Sequence, residues 1–409
     1  MRISHLRLER SAAGARASAR VTFEDAPRPP LELFFETDSR GRDDLSPEPE
    51  AFLTACALPA IRSGERRIRI EDAVCPRLAE GLATAAALLQ GWYGGARDPI
   101  PIEPAAGFRA PVPRLPARAG FFFSGGIDSS HLLHVNRLQF PREHPHSFAD
   151  GLLLHGNLKA ESEDSPWSVR ALAAVGRTAE AAGLTLLPIR TNLWELLPDL
   201  PFVTRESLSS GLAAAAHLFR RRWTRVSIAT GLGVASEVPR GTHPMLDPLY
   251  SSSAVDVRHD PIRLTRLERL AELAASPPGV ANLVVCLAYP AAPRLNCGEC
   301  EKCVRTMTQL VAIGRLEEAR SFPHRDVTPA MIRAVPVTPV DALYYGNLSE
   351  ALAQRGRLDL VRALQEKLRE MERLARWSVD AGWTGRLRRL DRRYLGGRLL
   401  ALRRKLASP

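Results

Sequence analysis

Two stretches near the start, the apolar Ile3, Leu6 and Leu8 and the alternating Ala19-Arg20-Val21-Thr22-Phe23, carry the pattern that predicts strands of a folded domain. Leu31-Glu32-Leu33-Phe34-Phe35 and Arg67-Ile68-Arg69-Ile70 predict two more. Glu50 to Ile61 predicts a helix with Phe52, Cys56 and Leu58 inward. The Ala/Leu-rich run from Pro76 to Leu89 predicts another, ending before Gly94-Gly95. Pro99, Pro101, Pro104, Pro111, Pro113 and Pro116 punctuate a linker that this pattern excludes from regular structure. The expectation is a small α+β domain over residues 1–115, without a catalytic signature.

From Gly120 the pattern becomes strand, loop, helix, repeated. Phe121-Phe122-Phe123, Leu152-Leu153-Leu154, Thr185 to Ile189, Val226-Ser227-Ile228-Ala229 and Leu283 to Leu287 are predicted strands. Helices are predicted to begin at Ile127 and to run from Pro166 to Ala182, around 206–222 and around 262–275. Continuous apolar strands, each followed by a helix, are what a parallel sheet covered on both faces requires. Residues 116–325 are therefore expected to be α/β, a doubly wound parallel sheet with ligands at the carboxyl ends of its strands. Residues 326–409 are expected to be a helical extension. There Val361, Leu364, Leu368 and Met371 recur at helical spacing, and Trp383, Leu387, Leu390 and Tyr394 continue on an Arg-rich helix interrupted at Gly396-Gly397.

Composition narrows the partners. The 409 residues are 45% hydrophobic and 25% charged, which excludes a disordered or collagen-like chain. A net charge of +11 invites nucleic acid or a membrane until its location is considered. Residues 351–409 hold 16 basic and 6 acidic residues, leaving 40 basic against 39 acidic in the first 350. The bulk is nearly neutral, so nucleic acid stays open only through the Arg-rich tail and is not favoured. The first 20 residues carry five Arg and no apolar run of export-signal length. The uncharged stretch 274–293 is broken by Pro277, Pro278, Gly279, Pro290 and Pro293 and cannot form a spanning helix. A soluble, cytoplasmic protein is expected.

The sharpest local signal is Phe121-Phe122-Phe123-Ser124-Gly125-Gly126-Ile127-Asp128-Ser129-Ser130. A strand delivers the chain to two glycines and a helix starts at once, so free N–H groups and the positive end of the helix dipole converge on one spot. Ser124 and Ser129 add hydroxyl donors, and Asp128 beside phosphates is best explained by a Mg²⁺ ion between them. A P-loop would instead need four residues between its glycines, followed by Gly-Lys-Ser/Thr. This Ser-Gly-Gly-x-Asp-Ser string resembles the pyrophosphate loop of the PP-loop ATP pyrophosphatase superfamily, also called adenine nucleotide alpha-hydrolase-like. Those enzymes cleave ATP between the α and β phosphates and adenylate a substrate.

Four of the six cysteines fall together: Cys286, then Cys297-Gly298-Glu299-Cys300-Glu301-Lys302-Cys303. Four thiolates complete a closed tetrahedral shell for Zn²⁺. Three cysteines with an open iron site would suit an iron–sulfur cluster, and the fourth tips the balance to zinc. Cys56 and Cys75 lie in apolar, helix-like contexts and read as inert core residues.

A PP-loop followed by Cys-x10-Cys-x2-Cys-x2-Cys is similar to the 7-cyano-7-deazaguanine synthase family over roughly residues 118–315. The N-terminal domain and the helical tail have no counterpart there. The resemblance implies an ATP-dependent ligase that adenylates a small-molecule or peptide carboxylate, releases pyrophosphate, and passes the acyl group to ammonia or an amine with release of AMP. It implies ATP bound by Ser124, Gly125, Gly126, Ile127, Asp128 and Ser129, with His155, Gly156 and Asn157 placed near the adenine. Asp128 and Ser129 would act on the phosphates. By position, Thr191-Asn192, Thr230-Gly231-Leu232-Gly233 and residues 241–247 follow further strands. His243 would serve as general base, and Asp247 as the third catalytic group, a ligand for amine or Mg²⁺. Against this, an Asp before Pro248 is a common turn residue and a loop His is often merely exposed. Lys159 reads as a surface lysine near the strand ends. Two alternatives remain: a tRNA-modifying PP-loop enzyme gripping RNA through its tail, or a nucleotide-binding module without catalysis. The seam in 357–376 would support helix contacts within the protein or in a homo-oligomer.

Overall fold

The computed structural model describes residues 1–95, 98–110, 116–155, 165–275, 279–286, 288–291, 293–379 and 391. In chain order the first elements are β1 (Arg2–Arg10), β2 (Gly14–Thr22), β3 (Leu31–Asp38), α1 (Pro49–Arg62), β4 (Ile68–Ile70), α2 (Pro76–Tyr93) and β5 (Ile102–Pro104). Next come β6 (Ala119–Phe122), α3 (Ile127–Gln139), β7 (Phe148–His155), α4 (Pro166–Ala181) and β8 (Thr185–Thr191). The single turn α5 (Leu200–Phe202) runs through a π-helical stretch, Val203–Ser207, into α6 (Leu208–His217). β9 (Arg225–Ile228), β10 (Asp256–His259) and α7 (Arg266–Ala274) follow.

The strands form one sheet in the order β10-β9-β6-β7-β8-β3-β2-β1-β4-β5. β10, β9, β6, β7 and β8 are mutually parallel, β8-β3-β2-β1 are antiparallel, and β4 and β5 extend the far end in parallel. From β6 the chain winds outward to β7 and β8, then returns to the other side of β6 for β9 and β10. That reversal lies between β6 and β9, where an open α/β sheet leaves a crevice at its strand ends.

The three consecutive phenylalanines show why this run is a strand. Phe121 and Phe123 pack with Leu132 and Leu133 of α3 and Val175 of α4, while Phe122 packs in the core that holds Phe52 of α1 and Ala213–Ala216 of α6. Both faces of β6 are thus buried, each fully buried Phe contributing roughly 1.5–3 kcal/mol. At the opposite end of these strands, Asp150 of β7 is fully buried and held by Arg118 at 2.9 and 3.0 Å and by Arg222 at 2.8 Å. A buried carboxylate needs such partners.

Several expectations change. The chain falls into two compact units, Met1–Cys297 with Glu317–Pro323 and Gly298–Leu316 with His324–Pro409, so the extension expected from residue 326 shares its unit with Gly298–Leu316. Residues before 115 join the same sheet as those after it: Phe35, Glu36 and Thr37 of β3 register with Thr191, Arg190 and Ile189 of β8, and α1 and α6 share a core. The proline-rich segment contains β5, because Ile102–Pro104 pairs with β4 on the sheet edge, where a proline is tolerated. The expected helix around 206–222 ends at His217. Its last carbonyls go to other partners, Ala216 O to the Trp223 indole at 3.1 Å and Leu218 O to the Ser46 N–H at 2.9 Å. Leu283–Cys286 is not a strand, and Leu287 lies outside the described residues. The short β10 carried too little pattern to be foreseen.

In the second unit, α8 (Glu301–Ile313) ends on Gly314 at φ +70°. α9 (Pro329–Ala334), α10 (Pro339–Ala342), α11 (Leu348–Gln354) and α12 (Leu358–Val379) follow. Glu301 pairs with Arg305 at 3.0 Å and accepts from the Tyr345 hydroxyl at 3.0 Å. The buried seam of α12 centres on Leu360, Ala363 and Leu364, with Val361 and Leu368 only half-buried. Of residues 380–409, which include Trp383, Leu387, Leu390, Tyr394, Gly396 and Gly397, all but Asp391 lie outside the described residues. No helix among the described residues is long and apolar enough to cross a membrane.

Candidate functional site

β6 runs out at Phe122, with the Phe123 N–H still bonded to the Leu152 carbonyl at 2.7 Å. The turn Ser124-Gly125-Gly126 then delivers the chain to α3, with Gly126 as its N-cap. Gly125 sits at φ +72°, and a Cβ there would lie 2.8 Å from Val175 Cγ2, so glycine is required on both counts. Ser124 Oγ accepts from the Gly126 N–H at 3.3 Å and lies 3.2 Å from Ser129 Oγ. The N–H groups of Ile127, Asp128 and Ser129 open the helix and have no intrahelical acceptor. The turn brings together all six loop residues expected from the sequence, at the switch point of the sheet.

Asp128 stands in the first turn of α3. Arg266, the first residue of α7, pairs with its Oδ2, while its Oδ1 is buried without a hydrogen-bond partner. α7 is fixed by a capping box between Thr265 and Glu268. One turn along, the fully buried Arg269 bonds Asp260 Oδ2 at 2.6 Å, Thr230 O at 3.0 Å, Pro261 O at 3.0 Å and Leu264 O at 3.1 Å. This single guanidinium gathers the chain following β9 and β10. Burial pushes the Asp260 carboxyl up, with Arg269 opposing the shift.

The remaining expected positions separate. The β7 backbone reaches His155; its side chain and Gly156, Asn157 and Lys159 lie outside what the structure describes. Thr191 and Asn192 serve the sheet: Thr191 donates to Phe34 O at 2.7 Å, and Asn192 bonds Phe34 N and Glu32 O. Asp247 is fully buried, accepting from His259 Nδ1 at 2.7 Å and from the His243 N–H at 3.0 Å. It is therefore neither a bare turn residue nor an open ligand. His243 is 9% exposed, and burial lowers its pKa below the usual imidazole value.

Cys286, Cys297, Cys300 and Cys303 bring their sulfurs within 4.8 Å of one another, with no disulfide. Four thiolates in that span could hold a metal such as zinc. Cys300 is the N-cap of α8, where the helix dipole favours a thiolate, and Gly298 takes φ +80° in the turn from Cys297. Asn296, fully buried, explains how Cys286 is held without a strand. Its Oδ1 accepts from the N–H groups of Val285 at 2.9 Å and Cys286 at 3.2 Å, and its Nδ2 donates to Leu283 O at 2.8 Å. The Val284 N–H bonds Gly125 O at 3.0 Å, so the cysteine segment also props the glycine turn. The Ala288 N–H points at Cys286 Sγ at 3.3 Å.

Arg266, Arg269, Asn296, Glu237 and His259 went unnoticed in the sequence. Only the Thr265-x-x-Glu268 box, placing Arg266 first on a helix, could have drawn attention to one of them. Compared with models of known families, with curated proteins and with solved structures, the chain matches none.

Proposed function

We propose that this protein is an ATP-dependent ligase of the cytoplasm that adenylates a carboxylate, releasing pyrophosphate, and transfers the acyl group to an amine with release of AMP. The observation that carries the reading is the glycine turn at the switch point with the unpartnered, buried Asp128 Oδ1 beside it. A buried carboxylate oxygen without a donor suits a cation, and Mg²⁺ there would neutralise phosphate charge and help pyrophosphate leave. Ser124, Ser129 and the N–H groups opening α3 would hold phosphate oxygens. A carboxylate arriving along the strand ends would attack the α-phosphorus, the loop donors taking up charge as pyrophosphate departs. We take the four cysteines as a structural zinc site, closed to substrate and bracing the glycine turn through the Val284–Gly125 bond.

Two measurements test the reading. Calorimetric titration with Mg²⁺ and α,β-methylene-ATP should show saturable binding, weakened at least tenfold by Asp128→Asn. Labelled ATP incubated with fractionated cellular acids should yield AMP and pyrophosphate in equal amounts, and only with an acid fraction present. Release of ADP, or of neither product across every fraction, overturns the ligase.

A further inference from the structure

Apart from the glycine turn and the cysteines, the first unit holds a second group of buried ionisable side chains with unspent hydrogen-bonding capacity. Asp247 fixes the ring of His259 through Nδ1, which leaves the lone pair of the neutral imidazole on Nε2. The His259 side chain is 3% exposed, and Nε2 is buried with no hydrogen-bond partner. Glu237, after the turn Val234–Ser236, has a side chain 10% exposed and both carboxylate oxygens buried with no hydrogen bond within 3.5 Å. His243 stands beside it, Nε2 3.9 Å from Glu237 Oε1. The Met245 N–H donates to His243 Nδ1 at 3.1 Å, and the ring packs edge-on to Trp92.

Buried polar groups are almost always satisfied, so three open acceptors in one cluster call for donors that the chain does not supply, from water or from a bound cation. Burial pushes the Glu237 carboxyl above its usual range, and the Arg240 charge and the Val238 N–H offset only part of that. An anion is the wrong ligand for acceptors. A metal would need donor atoms that converge tightly, and among the described residues only the four cysteines do. An ammonium group offers several N–H donors and no acceptor.

We infer that Glu237 and His259 form the seat of an ammonium group, ammonium itself or the head of a primary amine, with Asp247 orienting the imidazole. The inference rests on the ligase reading for its chemistry and supplies the nucleophile's site. His259 ends β10, two strands from β6 in the same sheet, about 10 Å across. α7 ties the two places together, Arg266 on Asp128 and Arg269 on Asp260 next to His259. In the transfer step one N–H bond of the ammonium breaks and its proton passes to His259 Nε2. The freed lone pair forms the C–N bond to the acyl carbon, the C–O bond to AMP breaks with its electrons leaving on AMP, and the new amide nitrogen gives its extra proton to water. Asp247, Glu237, His243 and Asp260 are the ionisable groups around His259 in this step.

The test is nitrogen-15 NMR of the histidine rings in the full chain, titrated at constant ionic strength with ammonium, methylammonium, potassium or sodium chloride. The His259 Nε2 resonance should move saturably with ammonium, or with ammonium and methylammonium if a primary amine is the nucleophile, and not with potassium or sodium. Glu237→Gln should weaken the effect at least tenfold. A resonance that does not saturate, that responds equally to potassium, or that is unchanged by Glu237→Gln overturns the seat. Should that variant fail to fold, the ammonium-against-potassium comparison on the native chain decides. No ATP or acid is used: ammonium binding by a chain that fails the ATP test keeps the seat and removes the ligase chemistry, and ATP cleavage without ammonium binding does the reverse.

Discussion

Arg266, the first residue of α7, closes an ion pair on Asp128, the second residue of α3, and so joins the helix that follows β10 to the glycine turn that follows β6. The Arg266 side chain is only 4% exposed. Arg266→Ala would leave Asp128 without its cation and is expected to lower stability by about 1–3 kcal/mol. Urea unfolding measures this, and an unchanged midpoint would show that the pair holds nothing together.

Gly125→Ala should be costly although it adds one methyl group. The positive φ and the 2.8 Å approach to Val175 act together, for an expected loss of roughly 1–3 kcal/mol. Gly126→Ala meets its nearest atom, Ser124 Oγ, at 3.4 Å and should be milder. Thermal melting of the two variants side by side checks the order.

Purified protein should carry one zinc per chain, lost in Cys300→Ala with a fall in melting temperature. Asn296→Leu keeps all four sulfurs and removes the bonds to Val285, Cys286 and Leu283. Metal release to a colorimetric chelator should then quicken at least tenfold. Equal release rates would mean that the asparagine serves only the fold, and iron with labile sulfide would replace zinc altogether.

His217 supplies a pH prediction. It is fully buried, with Nε2 donating to Tyr250 O at 2.9 Å, and desolvation lowers its pKa from 6.5 to about 4. Between those values the unfolded chain binds the proton and the folded chain does not, so stability falls as pH drops from 6.5 toward 4, by roughly 3 kcal/mol. His217→Gln retains a donor for Tyr250 O and should flatten this part of the profile. Urea midpoints at pH 7 and pH 4.5 would expose an error if both proteins lost the same amount.

The sequence was most readable where one local rule settles the outcome. Period-two alternation placed β1 to β3, the buried run Phe121–Phe123 placed β6, and strand–Gly–Gly–helix placed the turn. The cysteine spacing placed four sulfurs together because three of them share seven residues. Relations between distant segments were not readable. Prolines at 99–116 looked like a boundary, since composition reports local backbone preference and not whether β3 meets β8. Asn296 and Arg269 are single polar residues whose role depends on which carbonyls and N–H groups surround them, and no pattern in one dimension encodes that. Asp247 was singled out from its loop position alone, but its partner His259 lies on β10, a strand of four residues.

Phe34 and Thr191, which share a hydrogen bond across the β3–β8 junction, stand 157 residues apart in the chain. During synthesis β3 leaves the ribosome long before β8 exists, so one edge of the early antiparallel sheet waits with its ladder unfilled. Pairing at such separation is entropically slow. The nascent chain therefore passes through a stage in which an open strand edge and half a core are exposed together, and its yield in a cell depends on how well that edge is shielded until β8 arrives.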